Sequence, residues 1–221
     1  MSVAEPPARP KELRTLADVL DGLGGIPAER ILMRPAPGMA KASDVVAALD
    51  GRRMLRYELV DGVLVELPIG LLESFPAAYL IEILGPFVRW HKLGIVAGAD
   101  GSIRLTGGKK RIPDVAFYSW ARFPDRRLPK RPVPDLTPSL AIEVVSLGNT
   151  VAELTRKRAE YFRSGVQLVW QVDPRTRTVA VYKGPKKPII LREGDILSGG
   201  SVLAGFTLPV SELFGELDRH G

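Results

Sequence analysis

The sequence predicts a mixed α/β (α+β) fold, a mixed sheet flanked by helices, on three observations. Residues 140–172 read strand, helix, strand, with an amphipathic helix over 150–163 between two apolar runs. A crossover of that kind places its strands parallel and lays the helix over the sheet. Residues 57–60 and 63–67 flank Asp61-Gly62, the dipeptide of a two-residue hairpin turn. Hydrophobic residues make up 45% of the 221-residue chain and charged residues 25%, which is enough apolar material for a core and excludes disordered and fibrous classes.

Taken in order, residues 1–40 are rich in proline and glycine, carry one amphipathic stretch at 13–20, and are expected to wrap as an arm on the core. Residues 41–221 are expected to form one domain, since no repeat or low-complexity linker divides them. Ser43 is placed to cap a helix that runs through Leu49 and stops at Gly51. The hairpin follows and is expected to open the sheet. Residues 71–93 predict a long helix with Leu72, Phe75, Tyr79, Ile83, Phe87 and Trp90 on its apolar side. Gly94 is its expected C-cap, and Pro76 and Pro86 are its kink points. Short strands are predicted at 95–97 and 103–105, then a loop over 107–111, then an apolar strand over 115–120 behind Pro113-Asp114. A proline-rich basic connector, 124–138, leads to the buried strand 140–145 and its helix, which Gly165 closes. Residues 166–172 and 178–182 form a second hairpin around Asp173-Pro174, and 188–214 supply short strands and a terminal turn.

Composition narrows the chemistry. Without cysteine there is no disulfide framework, no thiolate zinc site and no thiol nucleophile, and with only two histidines any metal site must be mostly carboxylate. His91 reads as a helix-end residue and His220 as part of the tail. No apolar run approaches the roughly 18 to 20 residues of a membrane span, and the N-terminus has no signal-peptide core, so a cytoplasmic protein without membrane association is expected. The net charge is +6, and its excess lies between Arg104 and Arg131, where Arg104, Lys109, Lys110, Arg111, Arg122, Arg126, Arg127, Lys130 and Arg131 face only Asp114 and Asp125. Such a block either attracts a polyanion or is a solvated surface.

Three acids stand where apolar residues belong. In the strand 140–145, period-two alternation puts Leu140, Ile142 and Val144 on one face and Ala141, Glu143 and Val145 on the other. A carboxylate buried at Glu143 has to be paired, protonated or bound to a cation. Asp114 shares a face with Ala116 and Tyr118 at the head of its own strand, where a turn or cap hydrogen bond is the simpler reading. Glu58 lies in the first hairpin, where an exposed cross-strand partner would account for it. Two such acids on adjacent strands make an oxygen cage suited to Mg²⁺ or Mn²⁺ and to phosphodiester hydrolysis. Lys157, on the helix after Glu143, can lean toward it, to orient or deprotonate water or to stabilise negative charge. An i,i+4 pair with Glu153 is the alternative for Lys157, and Arg158 competes as the cation facing Glu143.

Glu58, Pro113-Asp114, Glu143 and Lys157 occur in that order, with Tyr-Glu-Leu-Val-Asp-Gly at the first and Val-Trp-Gln-Val-Asp-Pro closing the unit. This pattern resembles the Uma-type restriction endonuclease family of the PD-(D/E)XK nuclease superfamily, over residues 57–182. The resemblance implies a restriction-endonuclease-like core and a metal-dependent endonuclease hydrolysing DNA, with Glu58, Asp114, Glu143 and Lys157 catalytic. Asp114 and Glu143 are the implied ligands of Mg²⁺ or Mn²⁺. Lys109, Lys110 and Arg111 are the expected nucleic-acid contacts, and a homodimer is a hypothesis, since a duplex cutter often needs two active sites. Two departures are visible: Val145 stands where the superfamily usually has a lysine, and Ser74 where many family members have a histidine. They motivate an alternative, a nuclease-fold module that has lost its chemistry and binds nucleic acid or a protein partner. A carboxylate-pair glycosidase is disfavoured by an aromatic content of 7%. Gly107-Gly108-Lys109-Lys110 lacks the spacing of a phosphate loop, and a serine triad has only His91 to draw on.

Overall fold

The computed structural model describes residues 15–49, 56–68, 70–99, 101, 103–123, 125–130 and 134–219. Three sheets and five α-helices organise them. A six-stranded mixed sheet runs β10-β9-β8-β7-β6-β3, formed by β3 (Gly94–Gly98), β6 (Val115–Ser119), β7 (Leu140–Val144), β8 (Leu168–Asp173), β9 (Thr178–Tyr182) and β10 (Pro188–Leu191). Among the described residues its only parallel pair, β7 with β8, is the one joined by α4 (Val151–Arg163), as the crossover pattern requires. Thr150 caps α4 in a reciprocal box with Glu153.

The hairpin of β1 (Tyr57–Val60) and β2 (Val63–Glu66) forms as expected, with positive φ at both Asp61 and Gly62, the backbone of a type I′ turn. A Cβ on Gly62 would sit 2.4 Å from the Gly38 carbonyl oxygen, so the turn also needs glycine for close packing. The hairpin does not open the main sheet. It belongs to a separate four-stranded sheet, β2-β1-β5-β4, completed by the two-residue strands β4 (Ile103–Arg104) and β5 (Lys110–Arg111). Segment 107–111, expected as a loop, is therefore partly strand, recruited by pairing of Lys110 with Leu59. The described part of the arm packs on this hairpin. Val19 and Leu23, at and just after α1 (Leu16–Gly22), cluster with Ile26, Ile31, Val60, Val63 and Val65. Helix α2 (Ala42–Leu49) begins one residue before Ser43, and Asp44 accepts the Lys41 amide at 2.6 Å in place of a serine cap. Gly51 and His220 lie outside the described residues.

Helix α3 (Leu71–Trp90) is present, but the face it buries is Pro76, Ala77, Leu80, Leu84 and Val88. That is one residue, about 100°, from the face the pattern predicts. Tyr79, Ile83 and Phe87 flank the core, while Leu72 and Trp90 are exposed. The helix is capped at His91, not Gly94, which instead starts β3, where a Cβ would lie 1.9 Å from the Tyr118 carbonyl oxygen. One expectation, that no apolar stretch approaches the length of a membrane span, is corrected. By length and composition alone α3, 20 residues with a stretch of mean hydropathy 1.4, is long and apolar enough to cross a membrane, as core helices can also be. Here its buried stripe packs on the six-stranded sheet with α5 (Val210–Asp218), a helix where a turn was expected. The tail hairpin β11 (Ile196–Ser198) and β12 (Thr207–Pro209) pairs on its own. Alternation divides the sheet cleanly: Val115, Phe117, Leu140, Ile142 and Val144 face α3 and α5, and Ala116, Tyr118 and Ala141 face α4. The face that carries Asp114 and Glu143 is therefore the α4 side.

Candidate active site

Val115 pairs with Ile142 across antiparallel β6 and β7, so the residues next along, Asp114 and Glu143, leave the sheet at the same end. Asp114 Oδ2 accepts the Val144 amide at 2.7 Å, which pins it to the edge of β7. Glu143 accepts a 2.6 Å bond from Lys157 Nζ on one carboxylate oxygen and the Tyr161 hydroxyl on the other. Lys157 and Tyr161 stand four apart on α4, hence on one face of the helix. Glu58 comes in from the other sheet and is 0% exposed. Its Oε1 lies 3.1 Å from Lys157 Nζ and accepts the Ile112 amide at 2.9 Å, while its Oε2 accepts Arg111 at 2.7 Å. One ammonium thus bridges acids from two sheets. Asp114, Glu143 and Lys157 line a cleft together with Arg56, Leu67, Glu73, Ser74, Ser146 and Asn149. At its rim Glu73 is held at 2.7 Å by Arg175, from the β8–β9 turn.

Burial sets the charge states. It lifts the Glu143 carboxyl to about 7, with the Lys157 ammonium opposing and Asp114 and Glu58 reinforcing the rise. Asp114 is likewise raised by burial, which Lys157 and the Val144 amide only partly offset. At Glu58 burial loses: Lys157, Arg111 and the Ile112 amide hold it below the usual carboxylate range. Burial also works against the Lys157 ammonium, but Glu143 and Glu58 outweigh it and keep the group protonated well above its ordinary value. The cleft therefore holds a locked cation and two acids whose negative charge is under-compensated.

The Uma2 family, described as "Putative restriction endonuclease", matches residues 46–211, well over half of the chain. The chain belongs to this family. Among solved structures it is similar to a crystal structure described as "a putative nuclease belonging to DUF820" from Anabaena variabilis. Identity is 18%, over 76% of this chain and 94% of that one, with a TM-score of 0.67. At that identity the likeness shows the fold, a nuclease fold with a mixed sheet flanked by helices. A search of curated proteins gives no match. Family and fold together make the chain a nuclease-type protein of the restriction-endonuclease-like group.

That group generally uses divalent metals, so the Uma2 cleft has to be tested for fit. Among the described residues, no three His, Cys, Asp or Glu side chains close on one point as a protein-only cage. The cleft offers two carboxylates, Asp114 and Glu143, leaving the other positions to water or substrate oxygen, which is how Mg²⁺ is commonly held. The donors are oxygen only, and both acids carry raised pKa values beside a lysine already in place. A hard cation would supply the missing positive charge, so the residues fit one.

Several expectations need correction. Arg111 is 2% exposed and turned inward, bonding Glu58 at 2.7 Å and Glu160 at 2.9 and 2.6 Å. It positions Glu58 and is not placed to touch nucleic acid. Lys110, also 2% exposed, donates to the Ala42 carbonyl at 2.7 Å. Lys109 bonds Glu160 at 3.0 Å and lies 3.2 Å from Asp61. The described residues of the basic connector, 125–130 and 134–138, follow the far end of β6, about 20 Å along the strand from Asp114, and none of them lines the cleft. Glu153 pairs with Arg30 at 2.8 Å and not with Lys157. Arg158 covers the Tyr182 ring and bonds the Pro185 carbonyl, leaving Glu143 to Lys157. Glu58, given an exposed partner as its simpler reading, is instead fully enclosed. Sequence reasoning missed Tyr161 and Arg111 as partners of the acids. Spacing held a signal for Tyr161, four residues beyond Lys157, but nothing local marks Arg111.

Proposed function

We propose that the protein is a metal-dependent endonuclease that hydrolyses DNA phosphodiester bonds in the cleft between β6, β7 and α4, with Glu58, Asp114, Glu143 and Lys157 as its working residues. The observation that carries this is the placement of Lys157 Nζ 2.6 Å from Glu143 and 3.1 Å from Glu58, in a cleft that also holds Asp114. Asp114 and Glu143 hold Mg²⁺ or Mn²⁺, which when bound supplies Lewis-acid stabilisation of phosphoryl oxygen and an acidified water. Lys157 replaces the lysine missing at Val145 by reaching the same acid from the helix. Because two carboxylates keep it charged, Lys157 acts as a fixed hydrogen-bond donor that stabilises developing negative charge or orients water, and not as the base. Glu58 fixes where that ammonium points, and Arg111 fixes Glu58. Tyr161 holds the rotamer of Glu143. Ser74 lines the cleft as a hydroxyl where an imidazole could otherwise relay protons, and the proposed chemistry does not route a proton through it.

Calorimetric Mn²⁺ titration and nicking of supercoiled plasmid test this reading on wild type, Asp114→Asn and Lys157→Met. Wild type should bind the ion and nick DNA. Asp114→Asn should lose both, and Lys157→Met should lose nicking by at least 100-fold. Equal ion binding and nicking by wild type and Asp114→Asn would reject this site, and binding of DNA by a wild type that does not nick it would favour a module that binds without cutting.

A further inference from the structure

The end of the molecule opposite the cleft carries an unexplained surface. Helix α3 and strand β6 both finish there, joined by the Trp120 amide donating to the Leu93 carbonyl at 3.0 Å. Its residue Trp90 is 85% exposed, with no ring or cation contact among the described residues. A solvent-facing indole of that kind offers a free aromatic face for stacking. Exposed cations occur on both sides of that end: Arg89 and Lys92 stand next to the indole in sequence on the α3 side, and Arg126, Arg127 and Lys130 follow β6 in the connector, which starts on the α4 side where Phe123 packs on Tyr118. Among the described residues none of the five has an ion pair, in contrast to Lys109, Arg111, Arg156 and Lys157, which are all bound to carboxylates. Asp125 is the acid standing among them. The chain thus pairs Lys109, Arg111, Arg156 and Lys157 with carboxylates and, among the described residues, leaves these five without an ion pair.

From this we infer that the far end is a second, non-catalytic surface for single-stranded nucleic acid, with Trp90 stacking a base and the Arg and Lys side chains tracking phosphates. Charge selects a polyanion, and the free indole face selects unstacked bases over the closed stack of a duplex. The surface lies about 20 Å from Asp114, so it anchors a strand away from the site of cutting and needs neither the metal nor the acids.

The test titrates the full chain with fluorescein-labelled dT20 and with a 20-base-pair duplex, in EDTA so that nothing is cut. Wild type should bind dT20 more tightly than the duplex, with quenching of tryptophan emission. Trp90→Ala should weaken dT20 binding about tenfold, and Trp90→Phe should restore most of it. Arg126→Glu with Arg127→Glu should lower the salt dependence of log affinity by about 1.4. Both sites are on the surface, so circular dichroism should be unchanged. Asp114→Asn should bind dT20 as wild type does, which keeps this inference separate from the nuclease proposal. Unchanged affinity and salt slope in both far-end variants would overturn it, as would a dimer that Trp90→Ala dissolves while strand binding persists.

Discussion

At the residue scale the central fact is a chain of buried ion pairs that runs from solvent to the cleft. Lys109 and Arg156 meet Glu160 at 3.0 Å each, Glu160 meets Arg111, Arg111 meets Glu58, and Glu58 meets Lys157. Removing one member of such a chain leaves its partners buried and unpaired, which costs about 3 to 5 kcal/mol. Arg111→Met should therefore destabilise the protein by about that amount in urea unfolding, whereas a phosphate-contact arginine would leave stability unchanged. Glu160 gives a pH prediction. Burial disfavours its charge, but Arg111 and Lys109 overcome this and bring its pKa down to about 2 from 4.5. Its contribution is present above the unfolded value and is lost as pH falls through the folded one. Between pH 7 and pH 3 the wild type should lose about 2 kcal/mol more stability than Glu160→Gln; parallel pH profiles would show that the pairing contributes nothing.

At the element scale, the first hairpin and the crossover were legible locally, whereas the caps expected at Ser43 and Gly94 were not. The hairpin turn depends on two residues, Asp61 and Gly62, and the crossover on one amphipathic helix between two apolar runs, so both were visible in the pattern. The buried face of α3 was not. The helix is apolar most of the way round, and the sheet selects Leu80, Leu84 and Val88 over their equally apolar neighbours Tyr79, Ile83 and Phe87. Leu84→Ala should cost about 2 to 5 kcal/mol, and Leu72→Ala less than about 0.5; equal losses in urea melts would restore the face that the periodicity favoured. Lys110 and Arg111 were unreadable for another reason. Their partners, Ala42 and Glu58, are 68 and 53 residues away, and no local pattern announces a bond to a helix carbonyl or a salt bridge between the strands β5 and β1 that only the fold pairs.

At the scale of the whole molecule, the site exists because two sheets and a crossover helix converge. The small sheet brings Glu58, the large one Asp114 and Glu143, and α4 brings Lys157 and Tyr161. The acids stood out in the sequence because each interrupts an apolar strand, and alternation grouped Glu143 with Ala141 and Val145 and Asp114 with Ala116 and Tyr118. That they share one cleft is a property of the assembled fold alone. The same assembly separates the cleft from the basic connector, placing them at opposite ends of β6. The most direct measurement is an anomalous difference map from a crystal soaked in Mn²⁺. The account predicts a peak between the Asp114 and Glu143 carboxylates with Lys157 still bonded to Glu143 and Glu58. A map with no peak in the cleft, or with manganese bound only elsewhere, would contradict it.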